Sequence, residues 1–187
     1  MKYQLFILLV VILPFASLSC NNTNKSSKEI VKKTNLQQLI KSNQSKSSIN
    51  WITLAELEEK TALNPKKAIF LFIKKGCPYC KEMKETTLSD PDVIELINKN
   101  YYAVMLDGKS KEPITFKGIT YINDAPIEED PKSTWRHNLF AELVEPYNGG
   151  YYWPSTVIFD KNLNKIKSFP GSQKPAQFKR LLTNYIR

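Results

Sequence analysis

Histidine occurs once in this chain of 187 residues, cysteine three times and glycine six times. Each shortage excludes something. A structural zinc site ordinarily takes four nitrogen or sulfur ligands. One pair of closely spaced cysteines and the distant His137 do not supply them. Three cysteines cannot build the multi-bridge framework of a disulfide-stapled domain. No run of five or more like charges is present; lysines come in pairs, as at Lys32-Lys33, Lys66-Lys67 and Lys74-Lys75. The net charge of +9 is therefore spread along the chain. With no nucleic-acid motif beside it, that charge reads as a basic surface suited to anionic membrane, not as a nucleic-acid site. Glu128-Glu129-Asp130 lacks the ligand spacing of a calcium loop. No internal repeat is visible, and the sequence implies neither a cofactor nor a metal.

Long apolar runs are also missing. The longest, from about Leu5 to Leu18, is interrupted by Pro14 and falls short of the roughly 20 residues a membrane-crossing helix needs. It follows Met1-Lys2 and precedes Ser19-Cys20, the pattern of an export signal. Ser17-Leu18-Ser19-Cys20 resembles the lipobox of bacterial lipoproteins, with Leu two rather than three residues before the cysteine. The resemblance implies that residues 1–19 are a signal peptide and that Cys20 carries a lipid anchor. The protein would then face the periplasm from a bacterial membrane. An ordinary secretory signal, giving a soluble exported protein with Cys20 nearby, is the other reading. Residues 20–48, rich in Asn, Ser and Lys, cannot bury a core and read as a flexible tether. A short amphipathic helix around Ile30 to Ile40 is possible within it.

From Ile49 onward, apolar and aromatic residues recur at the spacing of secondary structure, enough for one compact domain over residues 49–187. Ile49–Ile52 predicts a short first strand. Thr53 with Glu56 forms a capping-box pattern opening a helix whose apolar side is Leu54, Leu57 and Leu63. Ala68–Ile73 is a continuous apolar run suited to a buried central strand. Gly76 ends it, and Pro78 falls in the first turn of the next helix, where a missing N–H costs nothing. Ser89-Asp90-Pro91 interrupts that helix, and Val93, Ile94, Leu96 and Ile97 continue as a second one. Tyr101–Leu106 is the next strand. Residues 109–150 read as an insert, with a hairpin over Ile114–Tyr121, an acidic loop over Asp124–Lys132 and a helix over Trp135–Val144. Trp153-Pro154 leads into a strand ending at Asp160. Lys165–Phe169 pairs back, and Pro170-Gly171 leads into a final helix with Phe178, Leu181, Leu182 and Tyr185 on one face.

The residues with chemistry are Cys77-Pro78-Tyr79-Cys80, placed between the buried strand and a helix start. Two thiols at this spacing in this context point to thiol redox chemistry; an inert disulfide and half a zinc site are the structural alternatives. This motif, Trp153-Pro154 before an apolar strand, Pro170-Gly171 before the last helix and the order of elements together resemble the thioredoxin family. The stretch Lys81 to Val93 looks like the corresponding helix of thioredoxin-like lipoproteins and of the C-terminal domain of membrane thiol–disulfide interchange proteins.

The resemblance covers about residues 49–187. It implies an α/β thioredoxin-like fold: a central mixed sheet flanked by helices, with the insert before the cis-proline strand. It implies Cys77 as nucleophile, Cys80 as resolving thiol, and Pro154 as a cis-proline facing them. Trp153, Pro154, Pro78 and Tyr79 would contact the substrate. A helix N-terminus favours thiolate at the first cysteine, and Lys74 or Lys75 adds positive potential. Partners would be protein thiols or disulfides and a redox partner that the sequence does not identify. Gly149-Gly150-Tyr151-Tyr152 reads either as a substrate platform or as ordinary packing. His137 reads as a surface or capping residue, and Asp107 and Asp160 as turn residues.

Two departures from the family pattern matter. Leu71 stands where many thioredoxins carry a buried acid, six residues before the first cysteine, and Gly76 replaces the familiar tryptophan. Pro-Tyr is the glutaredoxin dipeptide, but the glutathione-site motifs of glutaredoxins are missing. The alternative function is therefore a thioredoxin-fold binding or assembly lipoprotein with a structural or vestigial disulfide.

Overall fold

The computed structural model describes residues 48–124 and 135–186. The chain divides into two units, Met1–Ser45 and Lys46–Arg187, and every described residue belongs to the second. The expected signal peptide, Cys20, nearly all of the expected tether and most of the acidic loop expected over Asp124–Lys132 lie outside the described residues. Among the described residues no helix is long and apolar enough to cross a membrane.

The elements in chain order are α1 (Leu54–Leu63), β1 (Lys67–Ile73), α2 (Pro78–Glu85), a 3-10 turn (Thr87–Ser89), α3 (Pro91–Asn100), β2 (Tyr101–Asp107), β3 (Ile114–Phe116), β4 (Ile119–Tyr121), α4 (Asn138–Leu143), β5 (Ser155–Phe159), β6 (Lys165–Pro170) and α5 (Pro175–Asn184). The main sheet runs β2-β1-β5-β6; β3 and β4 form a separate hairpin. β1 pairs parallel with β2 and antiparallel with β5, so Ile69 lies between Ala103 and Ile158. The expected central mixed sheet flanked by helices is present.

Local chemistry sets most boundaries. The Thr53 hydroxyl accepts the Glu56 N–H at 3.2 Å while the Glu56 carboxylate accepts the Thr53 N–H at 2.7 Å, closing the capping box of α1. The Asp90 carboxylate accepts the N–H groups of Asp92 and Val93, so this residue, expected only to interrupt a helix, caps the start of α3. Asp107 and Asp160 accept nearby backbone N–H groups in turns, as their positions suggest.

Three expectations are corrected. The first strand reduces to one bridge, Trp51 to Ala103. The Trp51 N–H turns back to the Ile49 carbonyl, and Thr53 starts a helix two residues later, leaving no length for a ladder. Leu63 does not join the apolar side of α1; at the last residue of the helix it is 81% exposed. The helix expected over Trp135–Val144 begins only at Asn138.

β1 is buried across its five central residues, which explains its unbroken apolar run: both faces are covered. Ile69 and Leu71 join Met83 of α2, Val93, Ile94 and Ile97 of α3, and Phe178 and Leu182 of α5. Ala68, Phe70 and Phe72 join Leu57 of α1, Phe116 of the hairpin, Leu139, Phe140 and Leu143 of α4, and Phe159 of β5. Each such fully buried large side chain contributes roughly 1.5–3 kcal/mol. The insert is tied to the sheet end: Gly108 N–H donates to the Ile73 carbonyl at 2.9 Å, and His137 N–H to the Gly108 carbonyl at 2.8 Å.

Candidate active site

The site forms where β1 ends. Gly76, at φ 71°, takes the left-handed backbone that most side chains disfavour and turns the chain into Cys77. Cys77 is the N-cap of α2, and its Sγ accepts the Cys80 N–H at 3.1 Å, standing in for the usual capping oxygen. Pro78 occupies the first turn. This places Cys80 one turn in, close enough to bond: Cys77 and Cys80 form a disulfide with Cα atoms 5.3 Å apart, inside the normal range. Both cysteines are buried, whereas Pro78 and Tyr79 between them are exposed.

The opposing wall comes from the start of β5. The Trp153-Pro154 peptide bond is cis. The Trp153 carbonyl oxygen lies 3.8 Å from Cys77 Sγ. Pro154 is buried, and its carbonyl accepts the Gly171 N–H at 2.8 Å. The Trp153 ring stacks on Phe140, with centroids 4.4 Å apart and planes 22° apart. On its other contacts lies Gly108, where a Cβ would stand 2.4 Å from two Trp153 ring atoms and 2.9 Å from Phe140 Cδ2. Only a residue without a side chain fits there. Cys77, Cys80, Pro78, Tyr79, Trp153 and Pro154 all stand out in the sequence, and the fold brings the six together. Gly108 and Phe140 do not stand out there, because their packing on the Trp153 ring joins segments far apart in the chain.

Positive charge surrounds the disulfide. A cavity of about 730 Å³ beside it is lined by Lys74, Lys75, Lys81 and Lys84, with Asp107 as the one carboxylate. Lys74 Nζ also lies 5.9 Å from the Trp153 ring. Partial burial, then the neighbouring charges of Lys74 and Arg136, pull the Lys109 amine below its usual pKa, against the pull of Asp107. Lys81 and Lys84 follow Cys77 at helical spacing; that periodicity was the available signal for them.

Tyr151 and Tyr152 stand in different surroundings. Tyr151 packs on Phe140 and carries the Arg136 guanidinium 3.9 Å above its ring. Tyr152 is 44% exposed, edge-on to Tyr147. His137 is not a surface residue. It is fully buried as the N-cap of α4, with Nδ1 accepting the Leu139 N–H at 3.1 Å and Nε2 facing the Glu112 carbonyl at 3.2 Å. Leu71 is buried in the core, and among the described residues no Asp or Glu is buried. No cluster of three or more His, Cys, Asp or Glu side chains that could hold a metal is present among them.

A cysteine pair capping a helix at the end of a buried strand, faced by a cis-proline loop, defines a thiol-bearing α/β domain of one recognisable class. The chain belongs to the thioredoxin-like domain family, which matches residues 54–186. No curated protein matches the sequence. Among solved structures it is similar to a thioredoxin from Thermus thermophilus, with 20% identity over 73% of this chain and 86% of that one and a TM-score of 0.49. It is also similar to the oxidised C-terminal domain of DsbD from Neisseria meningitidis, with 16% identity over 72% and 97% of the two chains and a TM-score of 0.42. A third is an exposed lipoprotein thioredoxin of Streptococcus pneumoniae, with 14% identity over 66% and 88% and a TM-score of 0.41. Likeness at these levels is resemblance only; family membership rests on the domain match.

Proposed function

We propose that this protein is an exported thiol–disulfide oxidoreductase that exchanges disulfides with protein substrates through Cys77 and Cys80. The observation that supports this best is the Cys77–Cys80 disulfide at the N-cap of α2 with the Trp153 carbonyl 3.8 Å from Cys77 Sγ. Cys77 is the nucleophile: at the helix N-terminus, unpaired N–H groups favour its thiolate. In the reduced protein, that thiolate attacks a substrate disulfide. A Cys77–substrate disulfide forms and one substrate thiolate leaves. Cys80 thiolate then attacks Cys77 Sγ, restoring the Cys77–Cys80 disulfide and releasing the second substrate thiolate. Two electrons pass to the substrate. From the disulfide form the same steps run backwards, with a substrate dithiol as the reductant. Trp153, Pro154, Pro78 and Tyr79 frame the place of the substrate backbone: Pro78 and Tyr79 are exposed, and the buried cis Pro154 holds the turn that presents the Trp153 carbonyl. With no buried carboxylate near Leu71 among the described residues, the proton of Cys80 passes to solvent or to the departing thiolate. Residues 1–19 direct export, residues 20–48 are a tether, and Cys20 carries the lipid that holds the domain at a bacterial membrane, facing the periplasm.

Dithiothreitol-dependent insulin reduction tests the chemistry. Cys77→Ser abolishes it, and Cys80→Ser accumulates mixed disulfides identifiable by mass spectrometry; full activity in Cys77→Ser overturns the reading. Labelled palmitate entering the wild type but not Cys20→Ala tests the anchor.

Leu71 favours a second reading, a binding lipoprotein whose disulfide is static. The reduction potential separates the two. Active pairs of this kind span about −270 to −120 mV, and static structural bonds lie below about −300 mV.

A further inference from the structure

The exchange chemistry proposed above does not say which disulfides the protein chooses. The cavity beside the disulfide does. Its walls carry Lys74, Lys75, Lys81 and Lys84 against the single carboxylate of Asp107, whose Oδ1 already accepts the Lys109 backbone N–H at 2.9 Å. Lys75 and Lys84 have no acidic partner among the described residues. Lys81 reaches Glu85 at 3.9 Å, with both side chains largely exposed, an arrangement that holds little energy. Three of the four amines thus stand in solvent at the mouth of the site, and the fourth, on Lys74, is half-buried beside Trp153. The floor between them is Ile73, Pro78 and the disulfide itself.

We infer that this groove selects acidic polypeptide: its substrates, or its redox partner, present Asp or Glu within a few residues of the reacting cysteine. This deepens the oxidoreductase reading and rests on it. The groove leads directly to the sulfurs and combines an apolar floor with flanking amines, which suits a chain carrying both a thiol and carboxylates. A cleft lined by one sign of charge raises the encounter rate of oppositely charged partners by about 10- to 1,000-fold at low salt.

The test uses three disulfide-bridged peptides that differ only in the residues flanking the cysteines: acidic, neutral or basic. Exchange with the reduced domain is followed by stopped flow. The acidic peptide is expected to react about ten-fold or more faster than the neutral one, and the basic peptide slower than both. The preference should hold at about 10 mM salt, where the screening length is about 30 Å, and disappear at about 1 M, where it is about 3 Å. The triple variant Lys75→Gln, Lys81→Gln, Lys84→Gln should bring the acidic-to-neutral ratio toward one. A control with the same loss of charge, Lys60→Gln, Lys99→Gln, Lys161→Gln, should keep it. Those lysines adjoin the opposite end of the sheet, a β1 length of about 20 Å away.

Equal rates for all three peptides, with exchange still dependent on Cys77, overturn the inference and leave the oxidoreductase intact. Absence of exchange with any peptide overturns both. Loss of salt-sensitive binding to anionic lipid vesicles in the triple variant, with no peptide preference in the wild type, assigns the lysines to a membrane surface and overturns the inference.

Discussion

Ile69 and Leu71 on one face of β1 meet a mostly aliphatic layer closed by α2, α3 and α5, whereas Phe70 and Phe72 on the other meet a layer richer in phenylalanine, closed by α1, the hairpin and α4. The aliphatic side holds the cysteines: Met83, fully buried, anchors the helix that Cys77 caps. The aromatic side holds the wall they face, because Phe140 contacts Phe72 below and stacks on Trp153 above. The disulfide therefore sits on a seam between two differently built layers. One is closed by α2 and α3, next to the cysteines in sequence, and by the distant α5; the other is closed by α1 and by the insert, whose α4 carries Phe140 to the site. Disturbing either layer should have separable effects on stability and on exchange.

The largest effect is expected from the core. Phe70 is fully buried and touches the rings of Phe72, Phe116 and Phe159. Phe70→Ala should cost about 3–5 kcal/mol in denaturant unfolding, and Ile97→Ala on the opposite face about 2–5 kcal/mol. Phe70→Ala is also expected to slow peptide exchange measured under folding conditions, since its loss loosens the layer beneath Trp153. Ile97→Ala is expected to leave exchange near wild type. Equal slowing in both would break the division of labour.

Gly108→Ala probes the seam directly. The added methyl would stand 2.4 Å from the Trp153 ring and 2.9 Å from Phe140, on which that ring stacks, so the stacked pair must shift. Overpacking of this kind costs about 1–3 kcal/mol. Exchange should fall further than stability alone explains, because the same residue's backbone carbonyl faces Cys77. Gly118→Ala, at φ 73° in the hairpin turn with open space around it, is the counterpart. It should lose about 1–2 kcal/mol through backbone strain while exchange stays unchanged.

Thr53→Ala removes a cap on the exposed end of α1 and should cost about 1 kcal/mol with no change in exchange. It also marks how far the sequence could be read. Capping chemistry acts over three residues, so Thr53 with Glu56 and Cys77 with Pro78 announce their helices locally. The unbroken run Ala68–Ile73 announces burial on both faces. Asp90 carried the same local signal but stood beside Pro91, which reads equally as a break. What could not be read was contact between distant segments. Gly108 needs to be glycine only because Trp153, 45 residues later, lies over it. Leu63 looked like a core residue because helical spacing does not reveal where the neighbouring layer stops. The charge of the groove was half legible: lysines flank the motif on both sides and Lys81 and Lys84 follow Cys77 at helical spacing, but only the fold shows that all four border one cavity.

His137 supplies the smallest effect and the one with a defined pH window. It ties the insert to the aromatic layer: its N–H donates to Gly108, its Nδ1 accepts the Leu139 N–H, and its Nε2 therefore carries the proton toward the Glu112 carbonyl. Burial pushes its pKa below the usual histidine value, with the Glu112 carbonyl partly opposing the shift. A second proton would sit on Nδ1, facing the N–H it now accepts. The unfolded chain thus binds that proton more readily than the folded one. Stability from this group is full above the unfolded value of about 6.5 and is lost as pH falls through the lower folded value. No other histidine is present in the chain to blur the signal. Unfolding free energy should therefore decline as pH falls from about 7.5 to about 5, with a slope no steeper than the one-proton limit of about 1.4 kcal/mol per pH unit. His137→Asn keeps an oxygen in place to cap Leu139 but cannot titrate, so it should flatten the decline. Parallel curves for the variant and the wild type would show that His137 does not carry the pH dependence.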